Sequence, residues 1–191
     1  MTDEPNSITT MKRYYNDKLH VDVKDDVHAE LFGGNDRSTI ITLASHAESH
    51  LETMMGLSLP HLREAEAKDW AETFRHDGPL GTFSACTNMA FYLTLIDGTL
   101  RDQLHDLRDM RNAVAHTKRR VTFDDVQLQN VAKRLFAPKG MFKLLDNTPD
   151  GIRRTFIAEA LLICSTLIYG RDVAHQKCRE SFKAKGQPVP F

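Results

Sequence analysis

The chain has 191 residues, 41% hydrophobic and 27% charged, which suits a single domain with its own core and excludes wholesale disorder. Its three cysteines, Cys86, Cys164 and Cys178, show no Cys-x-x-Cys spacing. That argues against a disulfide framework or a zinc finger and predicts a reducing, cytoplasmic setting. Net charge is −1, yet residues 1–100 carry 8 Lys+Arg against 16 Asp+Glu, and residues 101–191 carry 17 against 10. Opposite halves predict either two halves that face each other in the fold, or self-association, or an anionic partner for the basic half. The polar, acidic start Met-Thr-Asp-Glu-Pro is not a secretory signal. The longest apolar run, from Phe156 to Gly170, holds Glu159 and is too short for a typical membrane span.

Residues 1–23 are polar and weakly patterned and read as a flexible arm. Residues 24–32 suit a short helix, stopped by Gly33-Gly34. Asp36 or Ser38 can cap the next helix, which runs to about Leu57. On it Ile40, Leu43, Ala47, Leu51, Met54 and Met55 recur at three- and four-residue steps and share one face. Residues 61–75 carry a weaker helical pattern around Leu62, Ala65, Trp70 and Phe74. The stretch His76-Asp77-Gly78-Pro79-Leu80-Gly81 then forbids a continuing helix. Thr82 or Ser84 caps a helix to about Ile96. After the Asp97-Gly98 turn, Thr99 with Asp102 predicts a capping box for a helix over 100–116. Thr122 with Asp125 repeats the signal before a helix over 125–136. Thr148-Pro149-Asp150 combines a cap, a proline at the first helical position and an acid against the positive helix end. The helix it opens reaches between Leu167 and His175, is apolar almost all round, and is expected at the centre. Residues 176–191 read as a flexible tail. The sum is an all-α protein, a single bundle of five to seven helices over 24–175.

One residue breaks the pattern. The stripe on helix 100–116 runs Leu100, Leu104, Leu107, position 111, Val114, and position 111 is Arg111. A guanidinium keeps its charge, so it needs carboxylates or carbonyls around it. Three roles are open to it: a structural ion pair, for example with Glu159, a cleft that holds a phosphate or carboxylate, or an interface. His116 lies five residues on, about 140° around an ideal helix, so the two do not stack on one face. The run Lys118-Arg119-Arg120 that follows suits a solvated helix end or an RNA-facing rim.

Other candidates are weaker. His46 and His50 share a helix face, but His-Ala-Glu-Ser-His is not a metalloprotease motif, Glu48 points elsewhere, and no third ligand is near. Ser84 lacks a Gly-x-Ser-x-Gly elbow. Gly78 to Gly81 lacks the Lys-Ser/Thr of a phosphate loop. No helix-turn-helix with a basic recognition helix is present, so direct DNA binding is doubtful. No metal or cofactor is expected.

Several segments together resemble the mannitol operon repressor (MtlR/MltR) family. They are Pro79-Leu80-Gly81-Thr82-Phe83-Ser84, Arg111-Asn112-Ala113-Val114-Ala115-His116 and Phe123-Asp124-Asp125. The chain departs from the family pattern at Cys86, where a basic residue is common, and at Val114, where an aromatic is. The resemblance implies an all-helical bacterial regulator of mannitol uptake genes, working as a non-enzymatic binding protein with a protein partner or as a homodimer. Arg111, Asn112 and His116 would be its binding residues. The same segment is similar to the Arg-x4–6-His signature of HEPN domains. That similarity implies the alternative, a metal-independent ribonuclease acting on RNA. There His116 would move the 2′-hydroxyl proton and Arg111 would stabilise the phosphorane.

Overall fold

The computed structural model describes residues 31, 33–59, 67–136 and 146–184. The expected arm over 1–23 and most of the expected helix over 24–32 lie outside them, as does the end of the chain past 184. The described residues form six helices and no strand: α1 (Asp36–Ser58), α2 (Ala67–Phe74), α3 (Phe83–Tyr92), α4 (Gly98–His116), α5 (Val126–Phe136) and α6 (Pro149–Ala184). The protein is all-α, as its periodicity predicts.

The helix starts follow from short polar side chains that satisfy free backbone N–H groups. Asn35 caps α1, accepting from the Ser38 N–H at 2.9 Å, one residue before the expected Asp36. Thr82 caps α3 through Ala85 N–H. At α4 the cap is Asp97, which accepts from Leu100 N–H at 2.8 Å. The helix therefore begins two residues before the expected capping box. The turn and the cap are one feature, because Asp97 adopts extended backbone and its carboxylate reaches forward. Asp125 similarly accepts from Gln127 N–H ahead of α5, and Thr148 accepts from Gly151 N–H at the head of α6.

The six residues predicted on one face of α1 are all buried, and they form the wall on which α6 packs most extensively. From α6, Ile152, Phe156, Ile157, Ala160, Ile163 and Leu167 answer them. α1 also packs against α4 and α3, and α5 against α4 and α6. The centre is thus the α1–α6 pair rather than α6 alone. α6 leaves Leu161 and Tyr169 exposed, and continues to Ala184, past the expected end. At its head the Phe156 ring meets Phe123 at 5.5 Å. Beside them Arg153 donates to Asp36 Oδ1 at 2.7 Å and to the Leu31 carbonyl at 2.8 Å, while Asp36 Oδ2 accepts from Phe123 N–H. One ion pair so fastens the start of α1, the start of α6 and the turn before α5. No helix among the described residues is long and apolar enough to cross a membrane.

Candidate functional site

α4 carries the motif residues. Leu104, Leu107, Met110 and Val114 are buried on its inner face. Arg111 interrupts that face, with its side chain 22% exposed. Its guanidinium forms an ion pair with Glu48 of α1, lies 5.5 Å from the centre of the Phe83 ring of α3, and donates from Nε to Asn112 Oδ1 at 3.4 Å. A carboxylate, an aromatic face and an amide oxygen surround the cation, which is how a charge survives among leucines.

The partner is Glu48, so the expected pairing with Glu159 is corrected. Glu159 is held from α4 by Gln103, whose amide donates to its Oε1 at 2.9 Å. Gln103 and Arg111 are eight residues apart, about 80° around the helix and about 12 Å along it. Arg111 therefore reaches α1 and α3, while Glu159 meets the other end of α4. Glu48 does point away from the two histidines, as its spacing predicts, and what it points toward is Arg111.

His116 is the last residue of α4 and is exposed; Asn112 is exposed as well. No hydrogen bond or ion pair joins Arg111 to His116 among the described residues. Between the C-terminal half of α4, residues 117–122 and α5 lies a groove of about 440 Å³. Its apolar lining includes Met110, Val114, Val121, Leu128 and Val131, and its charged lining is Arg119, Arg120 and Arg134 with Asp109 and Asp125, a mixed rim with an excess of positive charge. Arg37 of α1 fixes one wall by donating to the Thr117 and Arg119 carbonyls at 2.9 and 2.6 Å. Neither Arg111 nor His116 lines this groove. It needs three segments that meet only in the fold, so only the basic run Arg119-Arg120 signalled it in the sequence.

Ser84 is part of a polar joint between α3 and α4. Arg108 donates to Ser84 Oγ at 2.5 Å and to His105 Nδ1 at 3.2 Å, and His105 Nε2 meets Asn88 Oδ1 at 3.0 Å. With Nδ1 accepting from a cation, the ring is neutral and donates from Nε2. Partial burial and then Arg108 push its pKa down, in agreement.

With this geometry in place, the solved MtlR–HPr complex from Escherichia coli offers a comparison. A chain of that complex matches this one with a TM-score of 0.58 at 16% identity, over 75% of this chain and 97% of that chain. The fold is MtlR-like. No family model and no curated protein matches the chain.

The MtlR-like core absorbs the remaining candidates. Cys86 is 1% exposed, and burial with the charges of Glu52 and Glu48 pushes its thiol up to about 12. Cys164 is buried too, and burial raises its thiol to about 12. Neither forms a thiolate near neutral pH. His46 and His50 stack at 6.3 Å. Burial, Arg171 and His46 push His50 down to about 4. Among the described residues, no group of three or more His, Cys, Asp or Glu converges on one point.

Proposed function

We propose that this chain is a mannitol-repressor-like regulator that acts by binding a protein, with an HPr-type protein as the partner, and has no chemistry of its own. The observation that carries this is the match to nearly the whole of an MtlR chain that was solved bound to HPr. The groove between α4 and α5 supports it. An apolar floor with a charged rim of three arginines and two aspartates is the anatomy of a protein interface, in which the apolar centre contributes affinity and the charges contribute register and on-rate. The absence of a helix-turn-helix signal in the sequence favours control of transcription through the partner rather than by direct grip on operator DNA.

The arrangement around Arg111 favours this over the ribonuclease alternative. Glu48 already meets the Arg111 charge and Phe83 covers its face, which leaves little of the planar fork for a phosphodiester. The test is calorimetric titration with HPr from the same organism. One-to-one binding with Kd on the order of 1 µM is expected. The double variant Arg119→Glu/Arg120→Glu should weaken it at least about tenfold. In parallel, RNA incubated with wild type and with His116→Ala should remain equally intact. No titratable binding, or RNA cleavage that His116→Ala abolishes, overturns the proposal.

A further inference from the structure

The chain itself passes one end of the groove between α4 and α5. Asp36 Oδ2 accepts from Phe123 N–H at 2.9 Å, Arg37 holds the Thr117 and Arg119 carbonyls, and Leu31 is fastened through its carbonyl to Arg153. Residues 34–37 and 120–122 border a hollow of about 550 Å³. Arg120, Val121 and Thr122 line both this hollow and the groove, so the two are continuous. The charge of the groove is not balanced from within. Of its acids, Asp109 already accepts from Arg108 and Asp125 from Gln127 N–H. Arg134 has Asp106. Arg119 and Arg120 are exposed, and among the described residues no carboxylate meets either guanidinium. Two unpaired cations beside an apolar floor suit a segment that is both acidic and apolar.

We infer that residues 21–30 of this same chain dock in the groove and compete there with the protein partner. The segment Val-Asp-Val-Lys-Asp-Asp-Val-His-Ala-Glu carries Asp22, Asp25, Asp26 and Glu30 against Lys24, with three valines between them. The acids meet Arg119 and Arg120, and the valines meet the floor of Val121, Leu128 and Val131. The stretches 137–145 and 185–191 carry lysines and no acid, so they lack the matching charge. Ten residues span about 15 Å as a helix and at most about 35 Å extended. The eleven residues of α5 along the groove span about 16 Å, so a segment joined to Leu31 is long enough. A tether this short gives an effective concentration in the millimolar range, at which a weak contact suffices. A chain closed about four-fifths of the time weakens the partner about fivefold. The regulatory part rests on the groove being the partner site; the docking itself does not.

The test reads the docking without the partner first. Hydrogen-exchange protection factors at residues 117–122 are measured on the full chain, with the α1–α6 seam as the internal reference. The triple variant Asp22→Lys/Asp25→Lys/Asp26→Lys should lower protection at 117–122 about fivefold and leave the seam unchanged. The milder Asp22→Asn/Asp25→Asn/Asp26→Asn should lower it in the same direction. Arg119→Glu/Arg120→Glu alone should lower it too, and combining it with the Lys triple variant should bring it back, because the pair is restored with its signs exchanged. Unchanged protection in either arm variant, or no recovery in the combined one, overturns the docking. Calorimetric titration with HPr then reads the competition, and the Asn triple variant should bind about fivefold more tightly than wild type. Equal affinity of the two overturns the competition. Absence of HPr binding in both is a failure of the partner reading alone, and the exchange data still decide the docking.

Discussion

Arg111 shows what a sequence reveals about a residue and what it withholds. A cation in register with Leu104, Leu107 and Val114 is visible as an anomaly from helical periodicity alone. Its partner is not visible, because spacing along one helix says nothing about which face of another helix arrives opposite. Glu48 looks incidental between two histidines, and only the packing of α1 on α4 gives it a purpose. The Glu48–Arg111 pair is about three-quarters buried at both ends, so it lies between a surface pair and a fully buried one. Glu48→Gln should destabilise the protein by about 1–2 kcal/mol, and Arg111→Met by a similar amount. The double variant should recover about 1 kcal/mol of the sum, because neither charge is then left without its partner. Urea unfolding of the four proteins measures this. Strict additivity would mean that the pair does not hold the two helices together.

At the scale of elements, the sequence gives helix existence and facing well and connection geometry poorly. The α1 face and the Pro149 start are local consequences of period and capping, and they stand where expected. The end of α6 does not, because a helix can continue as a polar rod once its first turns are packed. The break at Gly78 to Gly81 is legible as a break, but its shape depends on backbone passing backbone. A Cβ added at Gly81 would stand 1.7 Å from the Arg75 carbonyl oxygen, and Gly81 N–H donates to the Gly78 carbonyl at 3.1 Å. A main-chain oxygen cannot rotate aside, so Gly81→Ala must reshape the turn that lets α3 cross back over α1. It should cost about 2–4 kcal/mol, the upper range for point variants. Gly98→Ala is the control, since its Cβ would meet only Phe91 at an ordinary 3.9 Å and it sits at the first position of α4. There a gain of about 0.5 kcal/mol is expected from better helix propensity. Equal losses in chemical denaturation would mean that the turn is not what makes Gly81 special.

Across the whole molecule, the acidic first half and the basic second half meet through Arg111–Glu48 and Arg153–Asp36, the facing-halves outcome that the charge asymmetry allows. The same arrangement creates one place where charge works against folding. His50 lies where α1 meets α6, and burial, Arg171 of α6 and His46 one turn away all disfavour its protonated form, lowering its pKa from 6.5 to about 4. An unfolded chain takes up this proton near 6.5, and the folded chain resists it until about 4. The contribution of neutral His50 is therefore fully present above 6.5 and is lost as pH falls through that window. The full shift would correspond to about 3 kcal/mol, and solvent screening at this partly exposed ring reduces it to about 1–2 kcal/mol. Glu159 has the opposite sign, because a raised carboxyl pKa contributes stability at low pH that is lost as pH rises. A bare pH curve mixes these two with the lowered His105 and the raised Asp106, so the comparison must be between wild type and His50→Gln. Wild type should lose about 3–6 °C more in melting temperature than His50→Gln on going from about pH 7 to about pH 4.5. Above about pH 7 the difference between the two should be constant, since His50 is then neutral in both states. Parallel curves through the acidic window would place the pH sensitivity of this bundle somewhere other than the α1–α6 seam.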